Sequence, residues 1–365
     1  MGIVVKCNMY FVNLIYKKLF RPLLFRLDAE RAHDLASQLL SITESSHISR
    51  KFIQFLSSKN SSDIDLFGLS FPNHLGLGAG MDKNGSFPKS FASLGFGHVE
   101  IGTITPLAQS GNPKPRLFRY PKYNALVNRM GFNNDGADVI SNRIKQIYPK
   151  GERSVPLGIN IGKGKNTPID KAHEDYIYCL NQSFLQADYI TVNISSPNTP
   201  NLRDLHKMDL IAPLLKILVN TNQSCAKKYK TLPVPLILKI SPDESYKSLE
   251  NIICNARECG FSGVIATNTT ISRFGKMQLD SMENGGLSGD PLESKSNAII
   301  KFFVYLTNYN LPIIGAGGIS SYDAAIRKLD AGASLLQIYS SLVYNGPFFP
   351  SRLSDSIRHR RKSWV

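Results

Sequence analysis

The residues best equipped for chemistry lie in Tyr189 to Arg203, YITVNISSPNTPNLR. Tyr189 to Ile194 alternates and carries β-branched side chains, the pattern of a buried strand, then passes directly into Ser195, Ser196, Pro197, Asn198, Thr199 and Pro200. A strand that ends in Asn193 sets an amide beside several hydroxyls. A planar ligand above that end would meet donors, acceptors and a proton acceptor together. Ser-Pro and Thr-Pro are also ordinary turn chemistry, and on this stretch alone the two readings balance. Other strands that end in the same way tip the balance.

Those strands recur from Phe67 onward. Short apolar, β-rich runs stand at Leu75 to Gly78, His98 to Thr103, Pro156 to Ile161, Asp188 to Ile194, Pro235 to Ile240, Gly263 to Thr267, Pro312 to Gly315 and Ser334 to Tyr339. Segments of helical periodicity, such as Leu249 to Cys259 and Ser321 to Ala331, separate them. Alternating strand and helix implies a parallel sheet, and eight such units predict an α/β fold closed into a (β/α)8 TIM barrel. In that architecture the active site lies over the C-terminal strand ends, with a phosphate site after strands seven and eight.

The predicted strand ends form one ring of polar groups: Ala79 and Gly80 with Asp82 and Lys83 beyond, Thr103, Asn160, Asn193, Lys239 with Ser241, Thr267 with Asn268 and Thr269, Gly317 with Gly318, and Tyr339 with Ser340. Gly317 and Gly318 let backbone N–H groups approach a phosphate, and Ser340 adds a hydroxyl. Lys239 would be a buried cation, costly unless an anion or an electron-rich ring shares its charge. Its own strand supplies no carboxylate. Flavin mononucleotide meets both demands, since a cation near N1 and O2 of the ring favours acceptance of hydride.

At 365 residues the chain could be two average domains or one barrel. An apolar fraction of 42% is ordinary for a folded protein. The formal charge of +15 favours an anionic substrate, an anionic membrane surface or nucleic acid, without choosing among them. Cys7, Cys179, Cys225, Cys254 and Cys259 are scattered, form no Cys-x-x-Cys pair and are expected as reduced thiols, with no metal site.

Residues 1 to about 60 differ from the rest. Met9 to Phe20 is apolar, but Lys6, Asn8, Asn13, Lys17 and Lys18 interrupt it, and it falls short of the roughly 20 apolar residues of a spanning helix. There is no small-residue cleavage site, and Gly2 lacks the Ser or Thr at position 6 preferred for myristoylation. Asp28 is the expected N-cap of an amphipathic helix carrying Ala32, Leu35, Ala36, Leu39 and Leu40. Ser57 to Ser62 reads as a linker. The helices could lie in a membrane interface or cap the main domain.

Nine motifs then stand in order: GAGMDKNG (Gly78 to Gly85), VEIGTITP (Val99 to Pro106), GNPKPRLFR (Gly111 to Arg119), NRMGFNN (Asn128 to Asn134), GINIGK (Gly158 to Lys163), NISSPNTPNLR (Asn193 to Arg203), ATNTT (Ala266 to Thr270), GGLSG (Gly285 to Gly289) and IIGAGGI (Ile313 to Ile319). Together, from about Leu27 to Phe348, the chain resembles class 2, quinone-linked dihydroorotate dehydrogenase. The resemblance implies an FMN-binding barrel over residues 61–365. It implies N-terminal helices over residues 1–60 that attach to a membrane and admit ubiquinone or menaquinone. Ser196 matches the base that takes the C5 proton of dihydroorotate, and its being serine rather than cysteine marks the class.

By the same matching, Lys83, Asn128, Arg129, Met130, Gly131, Phe132, Asn193, Asn198, Asn268 and Thr269 are the expected orotate contacts. Ala79, Gly80, Thr103, Asn160, Asn193, Lys239, Thr267, Gly289, Gly318, Tyr339 and Ser340 are the expected flavin contacts, and His33 and Arg119 the expected quinone site. Their chemistry agrees: a carboxylate suits Lys83, and an imide edge suits Asn amides. The resemblance further implies a monomer at the cytoplasmic face of a bacterial inner membrane, or at the mitochondrial inner membrane in a eukaryote, without a nucleic-acid partner. Two rivals are weighed: another FMN barrel such as a dihydrouridine synthase, and a non-catalytic membrane-surface module. The first would carry a cysteine acid and an added helical domain, whereas about 25 residues follow the last predicted strand here.

Overall fold

The computed structural model describes residues 12–57, 63–200, 202–206 and 208–362. The eight apolar runs each become a strand: β1 (Leu75–Leu77), β2 (His98–Ile104), β3 (Leu157–Ile161), β4 (Tyr189–Asn193), β5 (Leu236–Lys239), β6 (Gly263–Ala266), β7 (Ile313–Ala316) and β8 (Leu335–Ile338). They pair in parallel in chain order, and β8 returns to β1 through Leu336 opposite Leu75, closing the barrel. Every residue of these strands is buried, which is why they read as continuous apolar runs rather than as alternation.

The helices between strands begin and end on recognisable chemistry. Ser245 caps Tyr246–Cys259 by accepting from Ser248 N at 3.2 Å, and Gly260 ends it in the left-handed conformation, φ +88°. Ser321 caps Tyr322–Asp330 through Ala324 N in the same manner.

Two small sheets were not visible in the sequence. Ile64–Leu66 and Leu69–Phe71 form a hairpin, turned through Phe67 (φ +58°) and Gly68 (φ +72°), that lies against the N-terminal ends of the barrel strands. Phe71 meets the ring of His98 edge-on, and His98 meets Tyr189. At the opposite end Leu117–Tyr120, Ala125–Asn128 and Gly286–Gly289 form an antiparallel sheet, with Gly286 opposite Asn128 and Gly289 opposite Ala125. It joins segments about 160 residues apart to one side of the barrel mouth.

Ahead of the barrel, residues 12–24 are helical, with a wider turn at Tyr16–Phe20, followed by α1 (Ala29–Ser45) and α2 (His47–Leu56). Asp28 caps α1 as expected, accepting from Glu30 N and Arg31 N. A break at Ser46, whose hydroxyl caps α2, makes a second helix that the periodicity did not separate. Residues 9–11 of the expected apolar helix and residues 58–62 of the expected linker lie outside the described residues. Ser57 is buried and donates to Ser93 O at 3.1 Å. No helix among the described residues is long and apolar enough to cross a membrane.

Candidate functional site

A single cavity of about 1100 Å³, including its open mouth, lies over the C-terminal ends of the strands. It is lined from seven strand ends and from the small sheet beside the mouth. Of the expected residues, Ser196, Lys83, Asn128, Met130, Gly131, Phe132, Asn193, Asn198, Asn268 and Thr269 line it. So do Ala79, Gly80, Thr103, Lys239, Thr267, Gly289, Gly318, Tyr339 and Ser340. The small sheet delivers Asn128 and Gly289, which no strand of the barrel could bring there.

Ser196 is buried on the loop after β4, and its Oγ accepts from Asn198 N at 3.2 Å. Asn198 in turn donates to Asn128 O (3.1 Å) and Asn128 Oδ1 (3.2 Å), so the serine loop is tied to the mouth sheet. Asn193 Oδ1 accepts from Ser195 and from Asn268 Nδ2 (3.3 Å), and its Nδ2 donates to Thr103 Oγ1 at 3.1 Å. Asp243 holds the loops from outside, meeting Arg203 at 3.1 Å and Lys295 at 2.8 Å. The buried hydroxyl of Thr199, on the loop of Ser196, has no hydrogen-bond partner. Sequence reasoning passed over it as a Thr-Pro turn.

Two lysines face the cavity, one without and one with a carboxylate close by. Burial pulls Lys83 down to about 8, against the pull of Glu30, Asp82 and Asp34, which act on it at a distance. Glu30 is engaged elsewhere, 3.1 Å from Arg116 Nε, and Asp82 accepts from Ser86 N and Phe87 N, both at 2.8 Å. The Lys83 ammonium is thus left for a ligand's anion. Lys239 does have a carboxylate neighbour, contrary to expectation: Glu100 Oε1 lies 4.0 Å away. It comes from β2, inside the barrel, where reading Lys239's own strand could not find it. Burial lowers the Lys239 pKa and Glu100 opposes this.

Four expected residues fall outside the lining. Asn160 is buried behind Thr103, accepting its hydroxyl at 2.6 Å. The Arg129 side chain turns outward to Glu283 (2.7 Å) and stacks on Phe118, because it sits just beyond the edge of the mouth sheet. Arg119 lies over the Phe25 ring at 4.7 Å and donates to Leu24 O (3.0 Å) and to Leu27 O. Burial pulls the His33 imidazole on α1 down to about 4, with Lys83 as the second cause. These last two residues belong to the seam between the helices and the barrel.

The polar atoms fit a flavin. Thr267 Oγ1 and Gln337 Oε1 are buried in the lining without a hydrogen-bond partner, as expected of groups that await a ligand. Gly317 and Gly318 have φ of +103° and +75°. A Cβ on Gly318 would meet Glu293 backbone atoms at 2.6 Å, so this glycine is required by packing as well as by the turn.

A closed parallel barrel with a cofactor-sized polar cavity, a buried hydroxyl and two cations defines a cofactor-dependent barrel enzyme. The family model for dihydroorotate dehydrogenase matches residues 62–360. The chain is 44% identical over 352 residues to the dihydroorotate dehydrogenase (quinone) of Chloroflexus aurantiacus, spanning 94% of this chain and 96% of that one. It is 46% identical over 330 residues to that of Acinetobacter baylyi, spanning 90% and 96%. The crystal structure of DHODH from Eimeria tenella in complex with ferulenol superposes with a TM-score of 0.82 at 33% identity, covering 94% of this chain and 95% of that one. The chain belongs to the dihydroorotate dehydrogenase family: it is a flavin-type oxidoreductase of pyrimidine biosynthesis.

Proposed function

We propose that this chain oxidises (S)-dihydroorotate to orotate with FMN as first electron acceptor and a membrane quinone, ubiquinone or menaquinone, as the final one. The observation that supports it is the convergence of Ser196, Lys83, Lys239 and the Gly318 and Ser340 end on one cavity. Gly289, Gly318, Tyr339 and Ser340 would hold the phosphate end of FMN. Ala79, Gly80, Thr103, Asn193, Lys239 and Thr267 would hold the ring, with Asn160 fixing Thr103 from behind. When bound, FMN supplies a two-electron acceptor.

The rest belongs to the chain's own side chains. Lys83 holds the substrate carboxylate, and Asn128, Asn193, Asn198 and Asn268 with Thr269 present amides and a hydroxyl to the pyrimidine edge. Met130, Gly131 and Phe132 close over it, and Arg129 contributes through its backbone. Ser196 Oγ, buried beside the cavity, receives the C5 proton and hands its own hydroxyl proton onward as it does so, because a neutral hydroxyl is a weak base.

Residues 1–60 form the quinone-facing part, and residues 61–365 form the catalytic barrel. His33, neutral in its shielded place, and Arg119 offer hydrogen-bonding groups to quinone oxygens at the seam. Leu39 and Ile48 are 68% and 82% exposed and lead an apolar face suited to the interface of a quinone-bearing membrane. That membrane is the bacterial inner membrane from its cytoplasmic side, or the mitochondrial inner membrane in a eukaryote, and the chain acts there as a monomer. A visible spectrum before and after dihydroorotate tests the core of this reading. Flavin bands that bleach are expected, and a protein that stays colourless after refolding with FMN overturns it.

A further inference from the structure

Glu100 is fully buried inside the barrel, on the inward face of β2 between Val99 and Ile101. Its Oε1 accepts from Asn160 Nδ2 at 2.8 Å and lies 4.0 Å from Lys239 Nζ. Its Oε2 accepts from Gln337 Nε2 (2.8 Å), Thr191 Oγ1 (3.0 Å) and Tyr189 OH (3.3 Å). Each of the five neighbours is a donor, and among them Lys239 alone carries charge. A hydrogen-bond chain runs from this carboxylate through Asn160 and Thr103 to Asn193 and Asn268 at the cavity. Lys239 lines the cavity and Glu100 does not. The floor is therefore an ordered pair, its ammonium nearer the ligand and its carboxylate one layer below.

That order has an electrostatic consequence. A neutral flavin ring that gains two electrons and one proton gains one negative charge. Lys239 stabilises that charge from close by, and Glu100 opposes it from farther off, in an interior where screening is weak. The geometry points to Glu100 as the positioning residue that sets how far Lys239 favours the reduced flavin: it anchors the ammonium and offsets part of its field. It touches neither substrate nor ring. The inference rests on the flavin reading of the site.

The test is the two-electron reduction potential of the flavin in the purified holoenzyme, measured by equilibration against a redox dye. Glu100→Gln, which keeps the shape and removes the charge, is expected to shift the oxidised-to-reduced equilibrium at least tenfold toward reduced, about 30 mV more positive for a two-electron couple. Glu100→Asp keeps the charge but draws it one carbon away from Lys239, and is expected to shift the potential in the same direction by less. It carries the test alone if Glu100→Gln cannot be isolated with flavin. An unchanged or more negative potential in the variant measured overturns the inference. A wild-type protein without flavin bands overturns the underlying reading instead, so the two failures are distinguishable.

Discussion

The barrel and the helices that precede it solve the burial of apolar side chains in opposite ways. In the barrel, large apolar side chains point between strands and helices, and the loops present polar groups to the cavity. Residues 12–57 turn them outward: they hold eleven of the 23 large, exposed hydrophobic side chains among the described residues, from Leu14 to Phe55. These helices are attached to the barrel by polar grips. Glu44 accepts from Ser90 N and Oγ, both at 2.8 Å, Tyr16 donates to Val343 O at 2.6 Å, and Arg21 donates to Tyr344 O at 3.1 Å. The difference teaches that one part is held by its own core while the other is held by hydrogen bonds and a few apolar contacts, Leu40, Ile53 and Phe25 among them, with much of its apolar surface left exposed. Chemistry and quinone exchange should then be separable by mutation.

The sharpest break is Ser196→Ala. It should retain flavin yet slow flavin reduction by dihydroorotate by roughly 10²–10⁴-fold, the usual worth of a positioned base. Stopped-flow bleaching at the wild-type rate would remove Ser196 from the mechanism. On the other side, a chain beginning at Asp63 should still be bleached by dihydroorotate but reduce membrane-dissolved quinone roughly 10²-fold more slowly, because it no longer shares a surface with its acceptor. Equal quinone turnover would mean that the helices take no part in that step.

Two smaller effects sharpen the seam itself. Glu44→Ala strands the donors of Lys89 and Ser90 and should loosen α1 by about 1–3 kcal/mol, read as faster amide exchange in Ala29–Ser45 with barrel strands unchanged. The gentlest test is the His33 titration followed by NMR, whose midpoint should fall near 4 because the ring is shielded. The unfolded chain takes up this proton near 6.5 and the folded chain only near 4, so acidification through that window favours unfolding. A midpoint at the ordinary value would place His33 in open water.

The barrel was legible because strands buried on both faces leave apolar runs that no turn chemistry imitates, and because their ends carry Asn193, Lys239 and Thr267 in register. The mouth sheet was not, since Leu117–Tyr120 and Ala125–Asn128 are short and their partner, Gly286–Gly289, has three glycines or small polar residues and no strand signature. The Phe67–Gly68 hairpin hid behind a turn residue, Phe67, that rarely accepts a positive φ. Glu100 was a missed signal of another kind. A charged residue inside the apolar run His98 to Ile104 must find donors in the barrel interior, and its strand alone could not name Lys239 as one of them. Arg129 shows the converse: its neighbours Asn128 and Met130 line the cavity, but its own side chain turns away at a sheet edge that only three-dimensional pairing creates.

The hairpin Ile64–Phe71 also makes the barrel a cul-de-sac. Phe67 and Phe71 pack on its lower end, opposite the cavity whose rim carries the loop of Ser196. A leak engineered at Phe71 would therefore wet the Glu100 and Lys239 pair from below without touching any group that meets the substrate.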